Sequence, residues 1–127
     1  MIHKDLDVYK ESLKVVALVY EITKNFPKEE IYGLTSQMKR AAISIPSNIA
    51  EGCGRKSGKE LMNFLNIALG SLIELETQID IAVMLKFITD SDDVTTLRET
   101  IIITRKMTIG LIKAVALKEN SNTTRNR

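Results

Sequence analysis

The side chains best suited to catalysis do not form a set in this sequence. The single histidine, His3, lies near the amino terminus, and the single cysteine, Cys53, has no evident base partner. Glu74 and Glu76 are two residues apart, so they cannot share one face of a helix. The sequence also lacks an E-x-x-H pair and any histidine and cysteine cluster that could bind zinc. We therefore expect a protein that is not an enzyme, with no catalytic residue, cofactor or metal.

Residues 54–59 superficially resemble a phosphate-binding loop. Their spacing is one residue too short, Glu60 replaces the required serine or threonine, and no strand precedes them. Ser57 and Glu60 instead have the S-x-x-E spacing of a helix-capping box. The stretch is therefore interpreted as a turn between two helices.

Positive charge is the chemical feature that remains. The chain has a net charge of only +2, but residues 35–60 sum to +3, residues 61–103 to −5 and residues 104–127 to +5. Lysine and arginine side chains that share one surface can bind the phosphates of a nucleic acid. The candidate nucleic-acid-binding residues are Lys39, Arg40, Arg55, Lys56, Lys59, Arg105, Lys106 and Lys113.

These basic residues also have a structural interpretation. Helical proteins commonly carry solvated charged faces that bind nothing. Arg55 follows Glu51 by four residues and can pair with it on one helix face, whereas Arg40 can tie its helix to a neighbouring helix or subunit. The sequence leaves both interpretations open.

Four helical segments are predicted to position these residues, and no segment has a convincing strand pattern. The first helix has two apolar stripes, Val15, Val19, Ile22 and Phe26 in one and Leu6, Tyr9, Leu13, Val16 and Tyr20 in the other. The third helix is expected to be the longest and to run to about Phe87, with a seam of Leu61, Leu65, Ala68, Leu72, Leu75, Ile79 and Ala82. The fourth is expected to start at Ser91 and to run through Val94, Leu97, Ile101, Leu111 and Val115.

The second helix contains a proline. Its apolar sector keeps the helical phase across Pro46, although a proline inside a helix removes a backbone donor and costs about 3 kcal/mol. The phase therefore predicts a kink at Pro46 rather than a break. Asn48 lies at the edge of this sector and has two interpretations. It is either a buried amide that fixes packing register or oligomer number, or a kink residue that is bonded locally.

Four amphipathic helices joined by short loops predict an all-α, antiparallel, up-and-down four-helix bundle. We expect one domain over residues 1–118 and a polar, frayed tail over residues 119–127. The longest uncharged apolar-rich run, residues 61–73, is shorter than the roughly 18 residues of a membrane span. A cytoplasmic protein without a membrane partner is therefore expected.

The helices carry more apolar surface than one bundle can bury. Ile43 and Ala50 point nearly opposite the apolar sector of the second helix, and Phe64 and Ile67 lie off the seam of the third. Such excess favours self-association, because a second copy would cover it. The candidates for packing and assembly are Ile43, Pro46, Asn48, Ala50, Phe64 and Ile67.

Residues 34–55 also carry a family resemblance. With Gln37, Arg40, the run S-I-P-S-N-I-A-E-G that starts at Ser44, and Arg55, this stretch resembles the signature of the 23S ribosomal RNA intervening-sequence protein family. Its members are small bacterial four-helix-bundle proteins. The family is similar to the accessory variability determinant of diversity-generating retroelements, a basic homopentameric bundle that binds nucleic acid and assists a reverse transcriptase. The resemblance covers nearly the whole domain and implies a homopentamer.

Two functions follow as expectations. The first is a homo-oligomer that binds RNA or DNA, with structured RNA as the expected ligand, through basic residues repeated around its axis. The second is an oligomeric adaptor or scaffold that binds another protein, such as a reverse transcriptase, without nucleic acid. The family resemblance does not choose between them, because its members are named for the position of their genes.

Overall fold

The fold is an all-helical bundle, seen in a computed structural model that describes the backbone of residues 1–125 and the side chains of residues 1–121. Its helices are α1 (Asp7–Thr23), α2 (Leu34–Cys53), α3 (Gly58–Met84) and α4 (Asp92–Arg125), with single 3-10 turns at His3–Asp5 and Lys28–Glu30. Residues 1–125 contain no strand. Helices α1 and α3 each pack against α2 and α4. The predicted four-helix bundle is confirmed.

The predicted apolar seams meet in one core. All seven seam residues of α3 are buried, as is the α1 stripe from Val15 to Phe26. The apolar sector of α2 is buried as well, including Met38, Ile45 and Ile49, which have no exposed surface. Burying each large aliphatic side chain contributes about 1.5–3 kcal/mol, so this shared core holds the four helices together.

Helix α2 continues through Pro46, as its phase predicted. Pro46 is buried, and the helix is uninterrupted from Leu34 to Cys53. The Asn48 side-chain amide donates to the Ser44 carbonyl at 2.7 Å and to the Ser44 Oγ at 2.9 Å. The Ser44 Oγ is in turn 2.8 Å from the Ser71 Oγ of α3. Asn48 therefore makes the local bond expected of a kink residue, and its role in oligomer number stays a prediction.

Helix α3 ends at Met84, three residues before the predicted end at Phe87. The Lys86 N–H donates to the Val83 carbonyl at 3.0 Å, and the Phe87 N–H donates to the Ala82 carbonyl at 2.9 Å. This is the Schellman arrangement, and Lys86 occupies its left-handed position with a φ of 64°. Sequence reasoning missed the stop because a lysine stands where glycine usually marks it.

Helix α4 has 34 residues and α3 has 27, so the expectation that the third helix would be the longest is wrong. Thr100, Thr104 and Thr108 are buried on α4, and each hydroxyl donates to the carbonyl four residues earlier at 2.7 Å. Because these hydroxyls are satisfied within the helix, polar side chains can occupy its core face. The helix also includes residues 119–125, which the sequence analysis assigned to a tail, whereas residues 126–127 lie outside the described residues.

Within residues 1–125, no helix combines the length and the apolarity that a membrane crossing requires.

The side chain of Ser57 caps the amino terminus of α3. Its hydroxyl accepts a hydrogen bond from the Glu60 N–H at 3.2 Å. Ser57→Ala should lower the free energy of unfolding by about 1 kcal/mol, because that donor loses its partner. Urea unfolding monitored by circular dichroism measures the change. Ser47→Ala, at an exposed position inside α2, is the control and should leave stability unchanged or slightly raised.

Candidate functional site

The turn between α2 and α3 gathers three of the predicted basic residues at one end of the bundle. Helix α2 ends at Cys53, and the Arg55 N–H donates to the Gly52 carbonyl at 3.1 Å, which turns the chain back on itself. Helix α3 starts at Gly58. This short connection leaves Arg55, Lys56 and Lys59 exposed within one tight segment.

The carboxyl-terminal part of α4 reaches the same end. The Gly58 N–H donates to the Glu119 Oε1 at 3.0 Å, which ties α4 to the first turn of α3. A cleft of about 290 Å³ lies at this junction, and the charged side chains that line it are those of Arg55, Lys56, Lys118 and Glu119. We call Arg55, Lys56, Lys59 and Lys118 the basic end.

Arg55 is held by neighbours within its own chain. Its Nη2 lies 2.6 Å from the Glu51 Oε1, and its guanidinium carbon lies 4.8 Å from the centre of the Phe64 ring. Arg55 therefore pairs with Glu51, as its structural interpretation predicted, although the Arg55 side chain stays 42% exposed. By contrast, none of the ion pairs among the described side chains includes Lys56, Lys59 or Lys118. These three ammonium groups are the ones available to a phosphate.

The other predicted basic residues lie elsewhere. Lys39 and Arg40 are about 20 Å along the helix axis from the carboxyl end of α2. The Lys39 Nζ lies 4.7 Å from the centre of the Tyr20 ring, a cation–π contact between α2 and α1. Arg40 is exposed. The structure therefore does not join Lys39 and Arg40 to the basic end.

Two arginines of α4 are in ion pairs with α3, whereas two of its lysines are exposed. The Arg105 Nη1 lies 2.9 Å from the Glu76 Oε2, and the Arg98 Nη1 lies 2.9 Å from the Asp80 Oδ1, so both arginines tie α4 to α3. Lys106 and Lys113 are exposed on the outer side of α4. Lys118 was not among the predicted site residues. The up-and-down topology is the signal that could have found it, because it places the end of α4 beside the α2–α3 turn.

The packing candidates fall into two groups. Pro46 is buried, and Asn48, Ala50 and Phe64 are half-buried within the chain. Ile43 and Ile67 are 44% and 50% exposed. Of the six packing candidates, Ile43 and Ile67 are therefore the two that present a large apolar surface outward.

The basic end offers electrostatic binding of anions. No group of three or more histidine, cysteine, aspartate or glutamate side chains among the described residues could hold a metal ion. Burial raises the pKa of the Cys53 thiol above its ordinary value, so this cysteine is a neutral group beside the cleft. Three exposed ammonium groups remain as the chemistry of this end, because Ser57 and Glu119 already cap the first turn of α3.

Comparison with known proteins now adds to this geometry. The family model of the 23S rRNA-intervening sequence protein matches residues 4–110. The fold is similar to a crystal structure from Bacteroides thetaiotaomicron of a protein with unknown function from the S23 ribosomal protein family. The two sequences are 25% identical, the TM-score is 0.73, and the match covers 84% of this chain and 98% of the other. No curated protein matches the chain. Lys118 and Glu119 lie beyond the residues that the family model matches.

Proposed function

Because the chain belongs to the 23S rRNA-intervening sequence protein family, we propose that it is a non-enzymatic homo-oligomer that binds structured RNA through its basic end. One observation carries the proposal. Lys56 and Lys118 come from two distant parts of the sequence and line one cleft, Lys59 lies nearby in the first turn of α3, and none of the three is in a described ion pair.

The lysines of the basic end are suited to phosphate binding because no described ion pair engages them. An ammonium group that contacts a phosphate releases a condensed counterion, and this release favours binding at low salt. A lysine that is already paired with a carboxylate would have to break that pair first. The lysines of the basic end can therefore contact a phosphate without breaking a described ion pair. By contrast, Arg98 and Arg105 form ion pairs that join α3 to α4.

Self-association, which is itself part of the proposal, would strengthen RNA binding. The net charge of +2 per chain attracts a polyanion weakly, but a closed ring repeats each basic end around its axis. Exposed apolar side chains on all four helices, including Leu13, Ile43, Ile73 and Ile103, are the surfaces that such a ring would bury. Light scattering at micromolar concentration should therefore give a multiple of 14.2 kDa. A measured mass of one chain would contradict self-association.

Binding of RNA is tested directly with a fluorescently labelled hairpin of ribosomal RNA and a duplex DNA of the same length, both titrated at low salt. The hairpin should bind with the higher affinity. Absence of binding to both would remove the RNA function. Capture of a protein that persists after nuclease treatment would favour the adaptor instead.

Glu119 gives a further prediction, because its carboxylate occupies the cleft that a phosphate would enter. Glu119→Gln should raise RNA affinity by about threefold to tenfold, since the amide keeps an acceptor for the Gly58 N–H but removes a negative charge. Glu99→Gln removes the same charge from an exposed position near the other end of α4 and should have little effect. Fluorescence anisotropy with the labelled hairpin measures both variants. Weaker binding by Glu119→Gln would show that the carboxylate supports the site rather than competes with RNA.

A further inference from the structure

The guanidinium group of Arg55 is held in place by two contacts within the chain. Its Nη2 donates a hydrogen bond to the Glu51 Oε1 at 2.6 Å, and this bond uses the edge of the group, because guanidinium N–H bonds lie in its plane. Its central carbon lies over the Phe64 ring, 4.8 Å from the ring centre. The Arg55 side chain stays 42% exposed, so a ligand can reach the side of the guanidinium that faces away from Phe64.

The pair with Glu51 disfavours phosphate as the ligand of Arg55. A phosphate at the edge of the guanidinium would compete with the Glu51 carboxylate, which is itself an anion and repels a second one. The flat face of a guanidinium has no N–H group to satisfy. Nucleic-acid bases stack on that face without displacing the bonds that the group makes in its plane. The contacts of Arg55 therefore suit a base better than a phosphate.

The packing of α2 on α3 places Phe64 beside the turn that carries Arg55. A Cβ built on Gly52 would lie 2.9 Å from the Phe64 Cβ, so only a glycine lets the two helices approach this closely. Phe64 is half-buried and is therefore held by its own helix contacts. A guanidinium that is fixed by such neighbours loses less conformational freedom when a ligand binds than a free arginine does.

The lysines beside Arg55 can contact the phosphates that flank a stacked base. Lys56 is the next residue in the chain, and Lys59 lies in the first turn of α3. Both side chains are exposed, and no described ion pair includes them. The basic end therefore places unpaired ammonium groups next to a flat group that is already positioned.

We infer that Arg55 is a stacking platform for one unpaired base of the RNA, with Phe64 behind the guanidinium and Glu51 at its edge. The inference rests on the proposed RNA binding and specifies the class of RNA, one with an unpaired base in a loop or a bulge. In a continuous duplex each base is paired and stacked between its neighbours, so its face is not free. Arg55 thus contacts a base, whereas Lys56, Lys59 and Lys118 contact phosphates.

Abasic RNA tests this contact, because an abasic nucleotide keeps its phosphate and lacks its base. A labelled RNA hairpin is made with one abasic nucleotide at each loop position in turn, and fluorescence anisotropy at constant low salt measures each affinity. At one loop position the wild-type protein should lose about tenfold in affinity, the order expected for one stacked base. Arg55→Lys keeps the charge but has no flat face. It should bind the intact hairpin about tenfold more weakly and lose nothing further at that position.

Arg40→Lys is the matched control. Arg40 is also exposed on α2, about 20 Å along the helix axis from its carboxyl end, and the change again removes a planar group without changing the charge. This variant should bind the hairpin as wild-type protein does and keep the abasic effect. A continuous RNA duplex with the same number of nucleotides is the control ligand, and Arg55→Lys should change its affinity by less than about twofold.

Other outcomes overturn the inference and separate it from the proposed function. Equal losses for hairpin and duplex in Arg55→Lys would show a phosphate contact. Wild-type affinity of Arg55→Lys for the hairpin, or the absence of a sensitive loop position, would reject the stacked base. In these cases phosphate binding by the lysines still stands, whereas failure of wild-type protein to bind any RNA removes the inference and the proposed function together.

Phe64→Leu checks the platform independently, because it removes the ring behind the guanidinium and leaves every charge of the basic end. It should weaken binding of the hairpin by about threefold and leave binding of the duplex unchanged. Circular dichroism confirms that the variant stays folded. An unchanged affinity for the hairpin would contradict support of the platform by Phe64.

Discussion

Replacing Lys56, Lys59 and Lys118 together by glutamine should weaken the binding of structured RNA by about a hundredfold at low salt. The expectation follows from three lost charge-assisted contacts, each contributing about 1 kcal/mol after the cost of desolvation. All three side chains are exposed and make no described ion pair, so their removal should leave the fold intact. Fluorescence anisotropy at constant salt measures the affinity, and circular dichroism checks the fold.

A variant with the same total charge separates the site from the overall field of the protein. Lys10 and Lys14 are exposed on α1, and Lys24 is exposed directly after it. Their joint replacement by glutamine also removes three positive charges, including those of Lys14 and Lys24, which pair with Glu11 and Glu21. This control should lose no more than about threefold in affinity, the effect expected from long-range electrostatics that salt screens. If both triple variants lose affinity equally, the basic end is not a site and only net charge attracts the RNA.

Gly52→Ala should lower the free energy of unfolding by about 1–3 kcal/mol. A Cβ built on Gly52 would lie 2.9 Å from the Phe64 Cβ, 3.0 Å from the Leu61 Cδ1 and 3.3 Å from the Leu61 carbonyl oxygen. A backbone carbonyl and a Cβ cannot move aside without shifting α3. The substitution should therefore force α2 and α3 apart where the basic end begins.

The matched control is Gly110→Ala, at an interior position of α4 where a Cβ meets no described atom within 4 Å. It should raise stability by up to about 1 kcal/mol, because alanine has the higher helix propensity. Urea unfolding at one fixed chain concentration compares the two variants, since the stability of an oligomer depends on concentration. Equal stability of wild-type protein and Gly52→Ala would contradict the close contact between α2 and α3.

Much of the bundle could be predicted from the sequence because helical period determines which residues are buried. The α3 seam and the α2 sector were both correct, and the phase across Pro46 was sufficient to show that α2 continues. The end of α3 was missed because its stop depends on the backbone conformation of Lys86 rather than on residue type. The length of α4 was underestimated because residues 119–125 are polar and carry no apolar stripe, although they continue the helix.

The site was predicted only in part, because nearness along a chain is not nearness in space. Lys39 and Arg40 precede Arg55 in one helical stretch, yet the rise of the helix carries them far from the turn. Lys118 is distant in sequence from Lys56, but the antiparallel course of α4 brings both to one cleft. Ion pairs between helices likewise depend on helix register. The register of α3 against α4 brings Arg105 to Glu76, and this pairing could not be read from the sequence.

The dependence of RNA affinity on salt tests the central claim most directly. The wild-type protein is titrated with the labelled ribosomal RNA hairpin at several salt concentrations between about 50 and 200 mM. If Lys56, Lys59 and Lys118 contact phosphates, the logarithm of the association constant should fall with the logarithm of salt concentration with a slope steeper than about −2. Absence of binding at the lowest salt, or a slope near zero, would contradict phosphate recognition by the basic end.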